Sequence, residues 1–196
     1  MSRYEVRPPG DHEPIVGPTG LLLRPIRASD IPTLFRWRHD PEVMQWWDEP
    51  PVSEAELAEE ELEPDVNPCW RFMVEADGRD VGCIQYWHPY ADTDSDWSAG
   101  VDIYLGAPGD RDRGIGTEAV RTMLDYLFEV KRVHRVTIDP DVRNARAIRA
   151  YQKAGFRLEG TMRHNDRRAD GTYVDTQYLS ILDDEWPDAK ERWLTS

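Results

Sequence analysis

The sequence predicts an α+β fold, in which a mixed and mostly antiparallel sheet is flanked by helices and contains one parallel strand–helix–strand step. Helical patterns come early in the chain, strand patterns fill its middle, and one strand–helix–strand crossover spans residues 101–138. The chain has 196 residues and no Ser/Gly-rich linker, so we expect a single domain over residues 19–196. Residues 1–18 are rich in Pro, Gly and charge, which predicts a flexible N-terminal arm.

The first elements are predicted from periodicity and from capping residues. LLLRPIR (21–27) reads as a strand, and a helix from Asp30 to about Arg38 tolerates a proline in its first turn. The capping box Ser53-x-x-Glu56 begins a second helix that runs to about residue 63. CWRFMVEA and DVGCIQYWH are two strands joined by Ala-Asp-Gly-Arg, which is typical of a hairpin.

The later elements follow in the same way. A strand over 99–105 leads into a helix that starts near Gly114 and ends near Val130. RVTI (135–138) is a further strand, and the next helix runs over 144–154 with Gly155 as its stop. FRLEGTMR and TYVDTQYLSIL form the final pair of strands.

Charge and cysteine content limit the partners of the chain. The net charge of −14 makes duplex nucleic acid and anionic membrane surfaces poor partners and favours a cationic ligand. Cys69 and Cys83 are too few for a disulfide framework or a closed zinc site, and the histidines lack ligand spacing, so we expect no metal. The N-terminus lacks the apolar core of a signal peptide and no apolar run is long enough to span a membrane, so we expect a cytoplasmic protein. A monomer and a homodimer both remain open.

The turn between the strand at 101–105 and the following helix suits a phosphate. A glycine-relieved turn that feeds a helix N-terminus offers unpaired backbone N–H groups and the positive end of the helix dipole. Arg111 and Arg113 add positive charge beside Gly114 and Gly116. An ordinary strand-to-helix turn with surface arginines would show the same residues, so this motif alone does not identify a site. A dinucleotide-binding turn is excluded because the third glycine and the strand-end acid are missing.

A second motif, NARAIRAYQKAGFRLEG (144–160), follows about 30 residues later. Asn144 is a natural N-cap, and Ile148 and Tyr151 lie on the same helix face. Together, Arg111-x-x-Gly114-x-Gly116 and Asn144-x-x-Ala147-Ile148-x-x-Tyr151 resemble the acyl-CoA site of the GNAT acetyltransferases over roughly residues 21–182. The resemblance implies a GNAT fold, acetyl-CoA as co-substrate, and the following cofactor-binding residues: Ile103, Tyr104, Leu105, Arg111, Asp112, Arg113, Gly114, Ile115, Gly116, Thr117, Asn144, Ala147 and Tyr151.

Three further features resemble the aminoglycoside 6′-N-acetyltransferases within that superfamily. They are Gln45-Trp46-Trp47, Gly100-Val101-Asp102 and Thr137-Ile138-Asp139-Pro140. The resemblance implies a polycationic small-molecule amine as acceptor, with substrate contacts from Trp46, Trp47, Asp102 and Asp139. Asp175 is a further carboxylate that could contact such a substrate, although it lies in a stretch that differs from the subgroup. The acids Asp92, Asp94 and Asp96 are further candidates, although each taken singly is an ordinary loop acid.

The chemistry of acetyl transfer assigns two catalytic residues. A protonated amine cannot attack a thioester until a base removes a proton, and Asp102 on the polar side of its strand can act as that base. Tyr151 can protonate the leaving thiolate.

Two alternative functions use the same chemistry with a different acceptor, either a protein N-terminus or a siderophore precursor. A non-catalytic acyl-CoA-binding module is the third, and the presence of both Asp102 and Tyr151 counts against it.

Overall fold

The computed structural model describes residues 13–47, 50–62, 69–88, 98–168 and 170–195. The strands are β1 (Ile15–Val16), β2 (Leu22–Pro25), β3 (Cys69–Ala76), β4 (Arg79–Trp87), β5 (Ser98–Leu105), β6 (Arg135–Ile138), β7 (Arg157–Arg167) and β8 (Tyr173–Leu182). The helices are α1 (Ile31–Trp37), α2 (Pro41–Met44), α3 (Glu54–Leu62), α4 (Ile115–Asp125), α5 (Ala145–Ala154) and α6 (Trp186–Thr195). A π-type turn over Tyr126–Val130 extends α4.

The described strands form one eight-stranded sheet in the order β1-β2-β3-β4-β5-β6-β8-β7. Neighbouring strands are antiparallel except β5 and β6, which are parallel. This mixed sheet flanked by helices confirms the predicted fold class. Local details are confirmed as well: Ser53 Oγ accepts from Glu56 N–H at 3.2 Å, and Gly155 ends α5 with φ +116°.

The structure corrects the predicted arm and adds two helices. Ile15 and Val16 pair with β2, so the ordered chain begins before residue 19, while residues 1–12 lie outside the described part. Helix α2 was not predicted, because four residues are too short to show a period. Helix α6 was also not predicted, although Trp186, Ala189 and Trp193 recur at helical spacing and are buried.

Two hydrophobic cores cover the two faces of the sheet. The larger packs α4, α5 and α6 against residues such as Val101 and Val136. The smaller packs α1 and α3 against Met73, Cys83 and Tyr104, which are register partners on β3, β4 and β5. Successive residues of a strand face opposite sides of the sheet. Residues two positions away from Met73, Cys83 and Tyr104 therefore face the same side as this smaller core.

The parallel pair separates part of the way along β5. The register joins Ser98, Ala99 and Gly100 to residues 135–137, whereas β5 continues to Leu105 in contact with β4. Strand β6 ends at Ile138, and the chain then passes through Pro140, which has no N–H to donate to a ladder. A wedge therefore opens between β5 and the end of β6, with the N-termini of α4 and α5 beside it.

Candidate functional site

Two cavities meet in this wedge. The first has a volume of about 300 Å³ and is lined by the turn before α4, the end of β5 and one face of α5; we call it the loop cavity. The second has a volume of about 770 Å³ and is lined mostly by polar residues of β3, β4, β5, β7 and β8 and of the loop after β6; we call it the acid cavity. The residues that line both are Trp46, Trp47, Asp102, Pro140 and Asp141. A ligand in one cavity can therefore reach a ligand in the other at Asp102.

The first turn of α4 offers backbone donors to the loop cavity. The first helical bond runs from Glu118 N–H to Gly114 O, and no described side chain caps the helix, so the amides of residues 115–117 have no helical partner. Gly114 has φ +82°, a conformation that favours glycine. A Cβ on Gly116 would meet only Leu105 Cδ1, at 3.8 Å, so the space before the amides is open. This turn fits a pyrophosphate.

The two arginines of the turn have different positions. Arg111 lines the loop cavity, pairs with the Glu42 carboxylate of α2, and donates from Nη2 to Leu105 O at 3.4 Å. Arg113 does not line either cavity. It donates to Asp110, a buried carboxylate that also accepts from Arg79 Nη2 at 2.8 Å. Arg113 and Asp110 thus stabilise the turn and do not line a cavity.

Helix α5 forms the other wall of the loop cavity. Asn144 Oδ1 caps the helix by accepting from Ala147 N–H at 3.1 Å, which leaves its Nδ2 group as a donor. Three basic residues of this wall, Arg146, Arg149 and Lys153, were not predicted from the sequence. They are exposed and spaced i, i+3 and i+7. Their positive charge suits the phosphates of a nucleotide-bearing cofactor. The cationic residues recurring along one face of an otherwise acidic chain were the signal that could have found them.

A row of polar side chains across the sheet forms the floor of the acid cavity. Arg71, Gln85 and Asp102 are register partners on β3, β4 and β5 and lie two residues from the buried row of Met73, Cys83 and Tyr104. The same sheet face therefore changes from apolar to polar along the strands. Asp102 stands at the end of the row, where β5 leaves β6.

Asp102, Asp139 and Tyr151 lie around the point where the two cavities meet. Asp102 and Asp139 each stand two residues beyond Gly100 and Thr137, the last pair of the parallel register, on the two sides of the point where the strands separate. Asp139 lines the acid cavity, Asp102 both cavities, and Tyr151 the loop cavity. Burial raises the pKa of Tyr151, and the negative charges of Asp102 and Asp139 raise it further, so its hydroxyl remains a donor.

The Asp139 carboxylate has an uncharged partner. It accepts from Asn165 Nδ2 at 3.0 Å. Loss of water around the carboxylate raises the pKa of Asp139 above its usual value, although the residue keeps solvent exposure; the Asn165 bond opposes this shift and the charge of Asp166 adds to it. A cationic amine would supply the counter-charge that Asn165 does not.

Asp141 lines both cavities, but its negative charge is balanced by two arginines of the protein. Burial alone would raise the pKa of Asp141, but hydrogen bonds from Arg143 and Arg168 lower it to about 2. Arg168 Nη2 donates at 2.6 Å and Arg143 Nη2 at 2.7 Å. Asp141 therefore holds the chain after β6 against the β7–β8 hairpin.

The tryptophan pair forms part of the wall that the two cavities share. Trp47 packs edge-on against Tyr104 with ring centroids 4.9 Å apart, and the Arg38 guanidinium lies 5.8 Å from the Trp47 ring centroid. Arg38 is in turn held by Glu60 at 3.2 Å and Glu61 at 3.8 Å. Trp46 and Trp47 are half-buried and present ring surface to both cavities.

The predicted site residues divide by position. Those that line a cavity are Trp46, Trp47, Asp102, Ile103, Tyr104, Leu105, Arg111, Asp112, Gly114, Gly116, Thr117, Asp139, Asn144, Ala147 and Tyr151. Outside the walls are Arg113, Ile115, whose side chain packs in the larger core, and Asp175, which accepts from His164 N–H. Asp92, Asp94 and Asp96 lie outside the described residues. The residues that the sequence analysis missed, chiefly Arg38, Glu42, Arg71, Gln85 and Asn165, carry no motif.

The described part of the chain contains no cluster of three or more His, Cys, Asp or Glu side chains arranged to hold a metal ion. None of its helices is long and apolar enough to cross a membrane.

Comparison with known proteins gives consistent matches. A family model described as an acetyltransferase (GNAT) domain matches residues 27–164. The aminoglycoside N(6′)-acetyltransferase type 1 of Klebsiella pneumoniae is 28% identical, over 72% of this chain and 76% of that protein. The spermidine N(1)-acetyltransferase of Escherichia coli K12 is 26% identical, over 82% of each chain. The crystal structure of the aminoglycoside acetyltransferase AAC(6′)-Ib with coenzyme A is 26% identical and superposes with a TM-score of 0.72, covering 88% of this chain and 98% of that one.

Proposed function

The chain belongs to the GNAT acetyltransferase family and uses acetyl-CoA as its acetyl donor, and from this premise we propose that its acceptor is the 6′-amino group of an aminoglycoside. The observation that carries the proposal is the junction at Asp102, where an anion-binding cavity meets a larger cavity that contains acids. An acetyl group held on one side and an amine held on the other come together at one carboxylate. The proposal places this reaction in the cytoplasm, with antibiotic resistance as its consequence.

In the proposed mechanism, Asp102 removes a proton from the acceptor and Tyr151 donates a proton to the leaving group. Acetyl-CoA supplies an activated thioester. The amides of residues 115–117 and Arg111 hold the pyrophosphate, and Asn144 Nδ2 donates to the pantetheine arm. Asp102 takes a proton from the acceptor ammonium, directly or through water, which frees the nitrogen lone pair for attack. Tyr151 stays protonated because its pKa is raised, and its hydroxyl donates to the sulfur that leaves.

The acid cavity favours a sugar over a linear polyamine. Its walls carry several hydrogen-bond donors besides the acids, including Gln85, Asn165 and Arg71. The hydroxyl and ring oxygens of an aminoglycoside can accept from these donors, whereas spermidine has no oxygen atom. Trp46 and Trp47 add flat surface for a sugar face. A polyamine is the second candidate, because the E. coli relative is named as a spermidine acetyltransferase and the acids would bind any polycation.

A panel of acceptors tests the proposal. Release of the CoA thiol is measured with kanamycin, neomycin, spermidine, an N-terminal alanyl peptide and an N-hydroxylated lysine derivative. Paromomycin is the matched control, since it carries a hydroxyl where neomycin carries the 6′-amine. We expect the highest kcat/KM with the 6′-amino sugars, an acetamide at C6′ by NMR, and a raised inhibitory concentration of kanamycin in cells that express the chain. Preferred turnover of spermidine, the peptide or the hydroxylamine would overturn the aminoglycoside assignment.

A further inference from the structure

A carboxylate lies where the cofactor phosphates bind. Glu42, at the second position of α2, lines the loop cavity together with Arg111, Gly114 and Gly116. Its carboxylate pairs with the Arg111 guanidinium. A negative side chain beside a site built to hold a pyrophosphate repels that ligand and competes with it for the same arginine.

The two partners of this ion pair differ in freedom. The Arg111 side chain is 6% exposed and has a second contact with Leu105 O, whereas the Glu42 side chain is 58% exposed. The arginine is fixed by its surroundings, and the glutamate can move away from it. A pyrophosphate that binds Arg111 therefore displaces Glu42 more readily than it displaces the arginine.

Hydrogen bonds tie helix α2, which carries Glu42, to the three residues that follow it. Gln45 Nε2 donates to Glu42 O at 3.1 Å, Trp46 N–H to Val43 O at 3.1 Å, and Trp47 N–H to Met44 O at 3.4 Å. Helix α2 and the two tryptophans thus form one compact unit. Arg111 holds one end of this unit, and the other end is the wall that the two cavities share.

We propose that Glu42 is a positioning residue that couples the two cavities. Its carboxylate competes with the CoA pyrophosphate for Arg111, so pyrophosphate binding releases α2 from Arg111 and shifts Trp46 and Trp47. The acceptor wall then takes its working position only when the donor is bound. The inference rests on acetyl-CoA binding and does not depend on which amine is the acceptor.

The first test is CoA affinity, measured by calorimetry on the full chain. Removing the competing charge in Glu42→Gln should tighten CoA binding about two- to fivefold, the range expected for one exposed ion pair. Glu42→Asp, which keeps the charge, should stay near the parent. Glu59→Gln removes an exposed acid from α3 and serves as the control. Unchanged or weaker CoA binding in Glu42→Gln would overturn the proposal.

The second test separates coupling from simple repulsion. 3′-Phosphoadenosine 5′-diphosphate carries the pyrophosphate but lacks the pantetheine arm that would shield the tryptophans. We expect this probe to change acrylamide quenching of tryptophan emission in the parent, to have a smaller effect in Trp46→Phe and Trp47→Phe, and to have none in Glu42→Gln. No change in the parent, or an equal change in the parent and Glu42→Gln, would show that the ion pair does not link the cavities.

Discussion

The loop cavity and the acid cavity share a wall but are built differently. The loop cavity presents backbone amides at the start of α4, and most of the residues that shape it come from two short segments, 111–117 and 144–153. The acid cavity presents side chains from strands and loops far apart in the chain, such as Arg71, Asp102 and Asn165. A backbone site is fixed by local conformation, whereas a side-chain site depends on the register of the sheet.

This difference predicts how the two cavities respond to substitution. Side-chain changes in the acid cavity should alter the rate and the choice of acceptor while leaving CoA affinity intact. In the loop cavity, the sensitive positions should be those where an added side chain blocks the amides. Four predictions, from the largest expected effect to the smallest, test this division.

The largest effect is expected at the junction. Asp102→Asn removes the base, and kcat should fall on the order of a hundredfold to ten-thousandfold, the usual contribution of general base catalysis. CoA affinity should remain at the parent value, because in the proposed mechanism Asp102 acts on the acceptor amine and not on the pyrophosphate. Steady-state kinetics and calorimetry together check this. Asp184→Asn, an exposed acid remote from both cavities, is the control. An equal loss of CoA affinity would mean that the two cavities are not separable at this residue.

Gly116→Val tests the backbone site. A branched side chain would fill the space before the α4 amides, and if two hydrogen bonds to the charged pyrophosphate are lost, each worth about 1.5 kcal/mol, CoA affinity should fall on the order of a hundredfold. Thermal unfolding should change little, since a Cβ at this position meets only Leu105 Cδ1 at 3.8 Å. Gly109→Ala, at a position where a Cβ meets nothing within 4 Å, is the matched control. CoA binding that is unaffected by Gly116→Val would place the phosphates elsewhere.

The same division explains what the sequence could predict. The glycine turn before α4 and the Asn144 cap are local, so the residues that line the loop cavity there were predictable from two short motifs. Asp102 was predictable as a cavity residue because a carboxylate on a half-buried strand is unusual. Arg38, Glu42, Arg71 and Asn165 are ordinary polar residues in sequence. They enter the site only because the sheet register and the packing of α2 bring them there, and no local pattern carries that information. Arg113 shows the converse: the motif assigned it to the phosphate, but it pairs with Asp110 and Asp77 and lines neither cavity.

Asp139→Asn tests the electrostatics of the acid cavity. Loss of one charge-assisted hydrogen bond of roughly 1.5 kcal/mol should raise the acceptor KM about tenfold and leave CoA affinity unchanged. In the parent, KM should also rise as pH falls, and because the pKa of Asp139 is raised, this rise begins at a higher pH than for an ordinary aspartate. The variant should lack this pH dependence and show a weaker salt dependence. A KM insensitive to substitution, salt and pH would remove the support for a polycationic acceptor.

The smallest effect concerns the side-chain part of the loop cavity. Arg149 and Lys153 are exposed cations on the α5 wall of the loop cavity. Arg121 Nη2, in the middle of α4, donates to Lys153 O at 2.7 Å and ties the two helices together. CoA carries a 3′-phosphate that dephospho-CoA lacks, and this group is the natural partner for cations at the cavity mouth. Each exposed pair contributes up to about 1 kcal/mol, so Arg149→Gln with Lys153→Gln should lower CoA affinity about fivefold to tenfold and leave dephospho-CoA affinity unchanged. The parent's preference for CoA over dephospho-CoA should also decline with salt, because exposed charges are screened.

Calorimetry with both ligands at low and high ionic strength tests this prediction. The control is Lys131→Gln, which removes an exposed cation outside both cavities. If the double variant loses both ligands equally, the two cations hold the pyrophosphate itself, and the loop cavity depends on side chains in the same way as the acid cavity.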